Sequence, residues 1–327
     1  MINHEENTMY HIIVNPASKS GRGKKIWNEI EPVLLKRAIP YQVYFSKKAG
    51  DVANETKRLS KLNEPIKLII LGGDGTMNEA VQGMKPLSNF TVGYIPTGSS
   101  NDLARNLNIP KDPLLALEKI LDGESTVLMD IGQLQYESIP PKASRLEEIG
   151  TGRSRRFLVS CGIGFDAAVC AESVTSPIKK FCNQIGLGKL TYLGIALKQL
   201  LTAPKSSCEI WLDDNEEPIT LKNFVFIASM NHRYEGGGFM FCPNADYEDG
   251  ILDLCVVGDV TKLTILRALP TAFKGKHYRF NGVDAHRARK VRIKTGKALW
   301  VHTDGEAKTQ ADCICMTLLD EKLKVIS

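Results

Sequence analysis

The residues with the clearest chemistry are Gly72, Gly73, Asp74, Gly75 and Thr76. They follow the apolar run 68–71 and precede Asn78, Glu79 and a short helical pattern ending near Met84. An apolar run bounded by glycines reads as a strand buried on both faces of a parallel sheet. Glycines let backbone amides approach an anion, and the N-terminus of the next helix adds partial positive charge. Asp74 stands inside that anion site. A carboxylate there is electrostatically wrong unless a divalent cation lies between it and bound phosphates. The stretch therefore reads as a magnesium–nucleotide site, and the plainer alternative is a tight strand-to-helix turn with an incidental Asp.

Two more loops carry similar chemistry. The first, 16–25, is basic and glycine-containing, and it offers Arg22 or Lys24 as a phosphate partner; it could equally be a surface loop. The second follows a strand at 91–95 and sets Thr97, Ser99 and Ser100 around Gly98, an arrangement suited to phosphate or ribose. Asn101 and Asp102 then cap a helix, and for Asp102 capping could be the whole role.

The elements that must position these loops can be read from periodicity. Strands are expected at 10–15, 41–46, 66–71 and 91–95, and helices at 26–37, 50–62 and 113–121. This alternation predicts an α/β fold with parallel strands and ligands at their C-terminal ends. Near residue 130 the pattern changes to short alternating strands, among them 157–161, 208–213 and 223–230. Residues 136–156 read as a long hairpin loop without an assigned role. Residues 188–201 read as an amphipathic helix, with Leu190, Leu193, Leu197, Leu200 and Leu201 on one face; it either packs on a core or, through nearby Lys179, Lys180, Lys189 and Lys198, meets anionic lipid heads. Asp246, Asp249 and Gly250 form either an acidic turn or an oxygen-ligand site for a hard cation. Residues 274–297 hold nine Lys or Arg and one acid, Asp284, so they are a solvated face or a membrane-facing patch. Asp304, Gly305 and Glu306 form a tight turn.

Composition narrows the class. Of 327 residues, 43% are hydrophobic and 24% charged, which suits two globular domains. No apolar run approaches the roughly 20 residues that span a bilayer. The start of the chain is polar and acidic, without secretory features. The eight cysteines include no Cys-x-x-Cys pair, so reduced thiols and a cytoplasmic setting are expected. A net charge of +5 allows an anionic partner without demanding nucleic acid.

Asn15-Pro16-x-Ser18, Gly72-Gly73-Asp74-Gly75-Thr76-x-Asn78-Glu79 and Pro96-x-Gly98-Ser99-x-Asn101-Asp102-x-Ala104-Arg105 occur in order. Together they resemble the catalytic domain of the soluble diacylglycerol kinase family, which includes sphingosine and bacterial lipid kinases. The Gly-x-Gly-Phe-Asp-Ala run at 162–167 is similar to a family segment as well. The resemblance implies a Rossmann-like, NAD kinase/diacylglycerol kinase-type domain at 1–130, an all-β sandwich for the lipid acceptor at 131–316, and a tail, about 317–327, packing back on the first domain.

It further implies an ATP- and magnesium-dependent kinase acting on diacylglycerol or another lipid hydroxyl. ATP would be held by Asn15, Pro16, Ser18, Arg22, Ser46, Gly72, Gly73, Asp74, Gly75, Thr76, Asn78, Glu79, Thr97 and Ser99. Asp74 would hold magnesium, Asp130 would support the metal–water network, and Glu306 would serve as general base. A structural magnesium is implied at Asp246, Asp249 and the Ile251 carbonyl. Lys19 and Ser20 depart from the family's pattern as an apparent insertion, so Arg22 and Lys24 remain alternatives. The implied partner is a lipid at the inner membrane face, reached peripherally, with a homodimer as a candidate assembly. The rival readings are a soluble-substrate kinase of the NAD kinase type and an inactive lipid- or nucleotide-binding protein.

Overall fold

The computed structural model describes residues 9–123, 125–140, 153–175, 198–199 and 206–327. The chain divides into two compact units, one running to Ile131 and rejoined by Leu319–Ser327, the other Gly132–Leu318.

The first unit is α/β. Its strands are β1 (Tyr10–Val14), β2 (Tyr41–Phe45), β3 (Ile66–Gly72), β4 (Phe90–Pro96), β5 (Thr126–Met129) and, from the far end of the chain, β15 (Leu323–Ile326). The sheet order is β2-β1-β3-β4-β15-β5. The first four strands are parallel; β15 runs parallel to β4 and antiparallel to β5. Leu68, Ile69, Ile70 and Leu71 are at most 1% exposed, the double-sided burial that a continuous apolar run dictates in a parallel sheet.

The helices are α1 (Ser18–Lys36), α2 (Asp51–Ser60), α3 (Asp74–Gly83), α4 (Asp102–Asn106) and α5 (Pro113–Asp122). Asp112 caps α5 through its side chain, with Pro113 at the first position and Gly123 in the left-handed conformation at the end. Helix α1 corrects the expected start at residue 26. It begins at Ser18 and is interrupted at Lys19, Ser20 and Gly21, whose φ angles are +42°, +57° and +94°. Helical geometry resumes at Arg22, so the apparently inserted residues are spent on a left-handed kink.

The second unit is β-rich. It contains β6 (Gly132–Ser138), β7 (Ser154–Phe157), β8 (Ser160–Gly164), β9 (Ser206–Leu212), β10 (Ile219–Met230), β11 (Leu252–Gly258), β12 (Val283–Ala288), β13 (Lys290–Thr303) and β14 (Glu306–Leu318). They make one nine-stranded sheet in the order β12-β11-β10-β8-β13-β14-β6-β7, with β9 pairing both β10 and β13. One core gathers Leu134, Phe157, Ile163, Ile210, Ile293 and Ile314. A second gathers Phe165, Phe226, Phe241 and Ile265 beneath helices α6 (Phe165–Thr175) and α7 (Lys262–Ala272). The strand expected at 157–161 is broken in two, because the Asp304 carboxylate takes the amides of Leu158, Val159 and Ser160 at 2.9, 2.8 and 3.0 Å. Most of the expected helix 188–201, Lys179, Lys180, Lys189 and residues 141–152 of the long loop lie outside the described residues.

Candidate active site

In the first unit, three loops at the C-terminal ends of β1, β3 and β4 are tied into one floor. Asn15 Nδ2 donates to Thr76 Oγ1 at 3.0 Å, and the hydroxyls of Ser18 and Thr97 lie 2.6 Å apart. The floor is lined by glycines because nothing larger fits. A Cβ on Gly72 would lie 2.4 Å from that of Thr76, and one on Gly98 would lie 2.7 Å from the Cα of Gly73. Asn15, Pro16, Ser18, Gly72, Gly73, Gly75, Thr76 and Thr97 are thus brought together, with exposed Ser99 beside them.

Asp74 opens α3, where its charge suits the helix N-terminus. Its carboxylate also accepts the amides of Asp102 at 3.0 Å and Leu103 at 3.4 Å. This corrects the capping expectation. Asn101 is left-handed, makes no side-chain cap and donates to the Gly98 carbonyl instead. Asp74, from a different loop, caps α4. Tyr94 lies buried beneath this group; burial and then the Asp74 charge raise its phenol well above its ordinary range.

Several expected nucleotide residues do other work. Asn78 is fully buried one turn into α3, and its carbonyl accepts from Gln82 Nε2 at 2.9 Å. Glu79 accepts the Val52 amide at 2.9 Å, holding the start of α2, a role that suits a carboxylate better than facing phosphates. The Ser46 hydroxyl donates to the Val14 carbonyl at 3.4 Å. Asp130 is 2% exposed and paired with Lys322 at 2.9 Å, a partner contributed by the returning chain. Of the two candidate cations, Lys24 sits over the Phe45 ring at 4.8 Å, whereas Arg22 is exposed immediately after the kink.

The second unit carries the other set. Glu306 opens β14 after a turn in which Asp304 and Gly305 have φ of +50° and +78°. Its carboxylate lies 3.3 Å from Arg155 and 3.4 Å from Lys308. Behind the turn is a buried polar group that sequence reasoning missed. His302 Nε2 lies 3.1 Å from Asp166 and 3.5 Å from Glu235, and the Ser160 hydroxyl donates to Glu235 at 2.6 Å. Burial alone would lower the His302 pKa, but the Glu235 charge and the Asp166 bond and charge overcome it and raise the ring to about 9.

In the neutral ring Nδ1 accepts the Gly305 amide, 3.2 Å away, so the same histidine touches the turn that carries Glu306. Gly162 makes room for the group: a Cβ there would lie 2.3 Å from Asp166 Oδ2 and 2.5 Å from His302 Nε2. The available signals were Asp166 in its Gly-x-Gly-Phe-Asp context and Glu235 in the glycine-rich loop at 231–238.

At the expected structural-metal loop, Asp246 accepts the Glu248 amide at 3.0 Å and Asp249 accepts the Ile251 amide at 3.0 Å. The cation beside Asp249 is Arg287, which also lies 3.4 Å from Asp253. Among the described residues no three His, Cys, Asp or Glu side chains form a metal-holding group. The basic run 274–297 is likewise divided. Arg287 is held by those acids, and Arg292 by Glu137 at 2.7 Å and by the Trp211 ring. Lys198 pairs with Glu172 at 2.6 Å.

Residues 9–134 match the family described as "Diacylglycerol kinase catalytic domain", and residues 160–327 match "YegS C-terminal NAD kinase beta sandwich-like domain". The chain belongs to the diacylglycerol kinase catalytic-domain family. Among its relatives, a diacylglycerol kinase of Mycobacterium tuberculosis is 29% identical over 245 residues, 73% of this chain and 70% of that one. A diacylglycerol kinase of Bacillus subtilis is 25% identical over 297 residues, 90% and 88% of the two chains. The crystal structure of a Bacillus anthracis diacylglycerol kinase superposes with a TM-score of 0.67 at 21% identity, covering 98% of this chain and 96% of the other. At that identity the structural likeness is one of fold. It extends over both the α/β unit and the β-rich unit, as family membership requires.

Proposed function

We propose that this lipid kinase-family member transfers the γ-phosphoryl group of ATP to the free hydroxyl of diacylglycerol, giving phosphatidic acid. The observation that carries the reading is the three-loop floor, in which Asn15–Thr76, Ser18–Thr97 and the Gly73–Gly98 contact present backbone at the N-terminus of α3. Phosphoryl transfer needs positioning and charge neutralisation more than covalent chemistry, and a rigid floor of amides and hydroxyls supplies both. Family relatives named diacylglycerol kinase support the acceptor.

Within this reading Arg22, exposed beside the floor, meets the phosphates, and Thr76, Thr97 and Ser99 hydrogen-bond them. Asp74, a carboxylate at the N-terminus of α3 beside the floor, is an oxygen donor of the kind that would suit a magnesium ion carried in with the nucleotide. Such an ion would screen phosphate charge beside Asp74. Asp74 holds α4 against the floor, and Asp130 braces the returning chain through Lys322. Glu306 accepts the acceptor hydroxyl's proton, with Arg155 and Lys308 fixing its carboxylate. No step depends on a magnesium ion at the acidic turn of the second unit, where Arg287 lies beside Asp249.

The deciding assay offers γ-labelled ATP with diacylglycerol, phosphatidylglycerol, sphingosine and NAD in separate reactions. Label in phosphatidic acid alone supports the assignment. Label in another lipid replaces the acceptor but keeps the kinase, label in NADP moves the chain to soluble-substrate chemistry, and no transfer to any acceptor removes the proposal.

A further inference from the structure

Helix α7 (Lys262–Ala272) has two apolar faces where a helix on a globular surface needs one. Ile265, Ala268 and Ala272 are buried, at 7%, 7% and 2% exposure, and attach it to the second unit. Leu263, Leu266 and Phe273 are 56%, 41% and 46% exposed, and Pro270 is exposed with them. Phe273, at the helix end, keeps helical angles. Positions 263, 266, 270 and 273 recur at the helical spacing, so these side chains form one outward stripe opposite the buried one.

The charge around the stripe is of one sign. Exposed Lys262 borders it on one side, and exposed Arg267 and Lys274 on the other. Lys276 and Arg279 follow, and no Asp or Glu occurs from residue 260 to residue 283. An outward apolar stripe flanked by cations is the pattern of a helix lying in a membrane interface, with its apolar side chains among the acyl groups and its cations at anionic headgroups. A second protein would suit the apolar stripe but gives no reason for cations on both flanks without acids.

We propose that α7 and the segment to Arg279 are the surface by which this chain docks on an anionic lipid bilayer. Docking there matters to catalysis only if the acceptor is a bilayer lipid, so the functional significance rests on the reading above, while binding itself can be measured without turnover. The surface takes in only the start of the basic run 274–297, at Lys274, Lys276 and Arg279; further along, Arg287 and Arg292 pair with acids, as does Lys198.

The test uses the full chain, sedimented with vesicles of phosphatidylcholine or of phosphatidylcholine with phosphatidylglycerol, without ATP. Leu263→Ser/Leu266→Ser removes the exposed apolar pair, and Arg267→Glu/Lys274→Glu reverses two flanking charges. Phe273 is left in place because it stacks on Phe239 at 4.0 Å. All four substituted residues are exposed, so both variants should melt with the wild type and phosphorylate detergent-dispersed lipid at its rate. The expected result is preferential wild-type binding to anionic vesicles, and at least a tenfold loss of that binding in each variant. Wild-type-like vesicle binding by either variant would overturn the proposal, as would absence of binding by the wild type. A wild-type dimer made monomeric by the leucine substitutions, with vesicle binding unchanged, would assign the face to a second copy instead. A chain that docks as expected but phosphorylates no lipid leaves the docking surface standing and refutes the kinase reading.

Discussion

The most informative substitutions are at Asp74, because the structure gives it a mechanical role alongside the chemical one. Asp74→Ala removes the acceptor for two amides at the start of α4. A hydrogen bond to a charged group contributes about 1.5–3 kcal/mol. The Leu103 contact, at 3.4 Å, is beyond the usual range and counts for little. The cap therefore contributes about 1.5–3 kcal/mol. Asp74→Asn keeps one neutral oxygen for the Asp102 amide, worth about 1 kcal/mol, and so recovers part of the loss.

For a unit of this size, each kcal/mol moves Tm by roughly 4 °C. Calorimetry should place the first unit of Asp74→Ala roughly 6–12 °C below the wild type, with Asp74→Asn in between. Turnover should behave differently. If the charge serves the phosphate site, both variants lose at least a thousandfold in kcat/KM, about 4 kcal/mol of transition-state stabilisation, even though Asn preserves much of the cap. An unshifted melting curve for Asp74→Ala would refute the capping role, and an active Asp74→Asn would refute the need for charge.

Three further outcomes follow from ionisable groups. Lys322→Met removes the cation 2.9 Å from buried Asp130 and should cost about 3–5 kcal/mol in urea unfolding, much of which Asp130→Asn/Lys322→Met should restore. Two histidines set opposite pH limbs in the second unit. Burial lowers His232 to about 3, so the unfolded chain takes up a proton that the fold refuses. Stability from His232 is complete above about pH 6.5 and falls by about 1.4 kcal/mol per unit toward pH 3. For His302, raised to about 9, the contribution is complete below about pH 6.5 and is lost as pH rises through 9. Unfolding titrations of His232→Gln and His302→Gln should each flatten one limb, and an unchanged limb would refute that assignment. Asp249→Asn, which weakens a half-exposed pair with Arg287, should cost no more than about 1 kcal/mol whether or not magnesium is present. A melting temperature that rises with magnesium only in the wild type would restore a metal to that turn.

Much of the first unit was legible because its signals are local. The run 68–71 is apolar on consecutive residues, as a strand buried on both sides requires, and the expected helix at 113–121 matches α5 to within one residue. The glycine floor was legible as a loop at a strand end. What could not be read were pairings between distant residues. Asn101 carries a capping side chain at the right position, yet the cap comes from Asp74. The break between Phe157 and Ser160 is invisible in an apolar stretch, since its cause, Asp304, is remote in sequence. The start of α1 was misplaced because glycine and serine look like loop, whereas the kink confines the irregularity to Lys19, Ser20 and Gly21. The group around His302 escaped notice because Asp166, Glu235 and His302 become a cluster only when β8, β10 and β13 lie side by side.

The insertion of β15 between β4 and β5 also dictates an order of events during synthesis. At the usual 5–20 residues per second, a ribosome that has completed β5 needs about ten to forty seconds to deliver Leu323–Ile326. During that time the nascent first unit has the strands on both sides of a gap but not the strand that fills it. Their unpaired edges are the kind that recruit other chains. Assembly of the sheet beneath the glycine floor is thereby deferred until the β-rich half has been made, so an incompletely translated chain cannot acquire a finished first sheet.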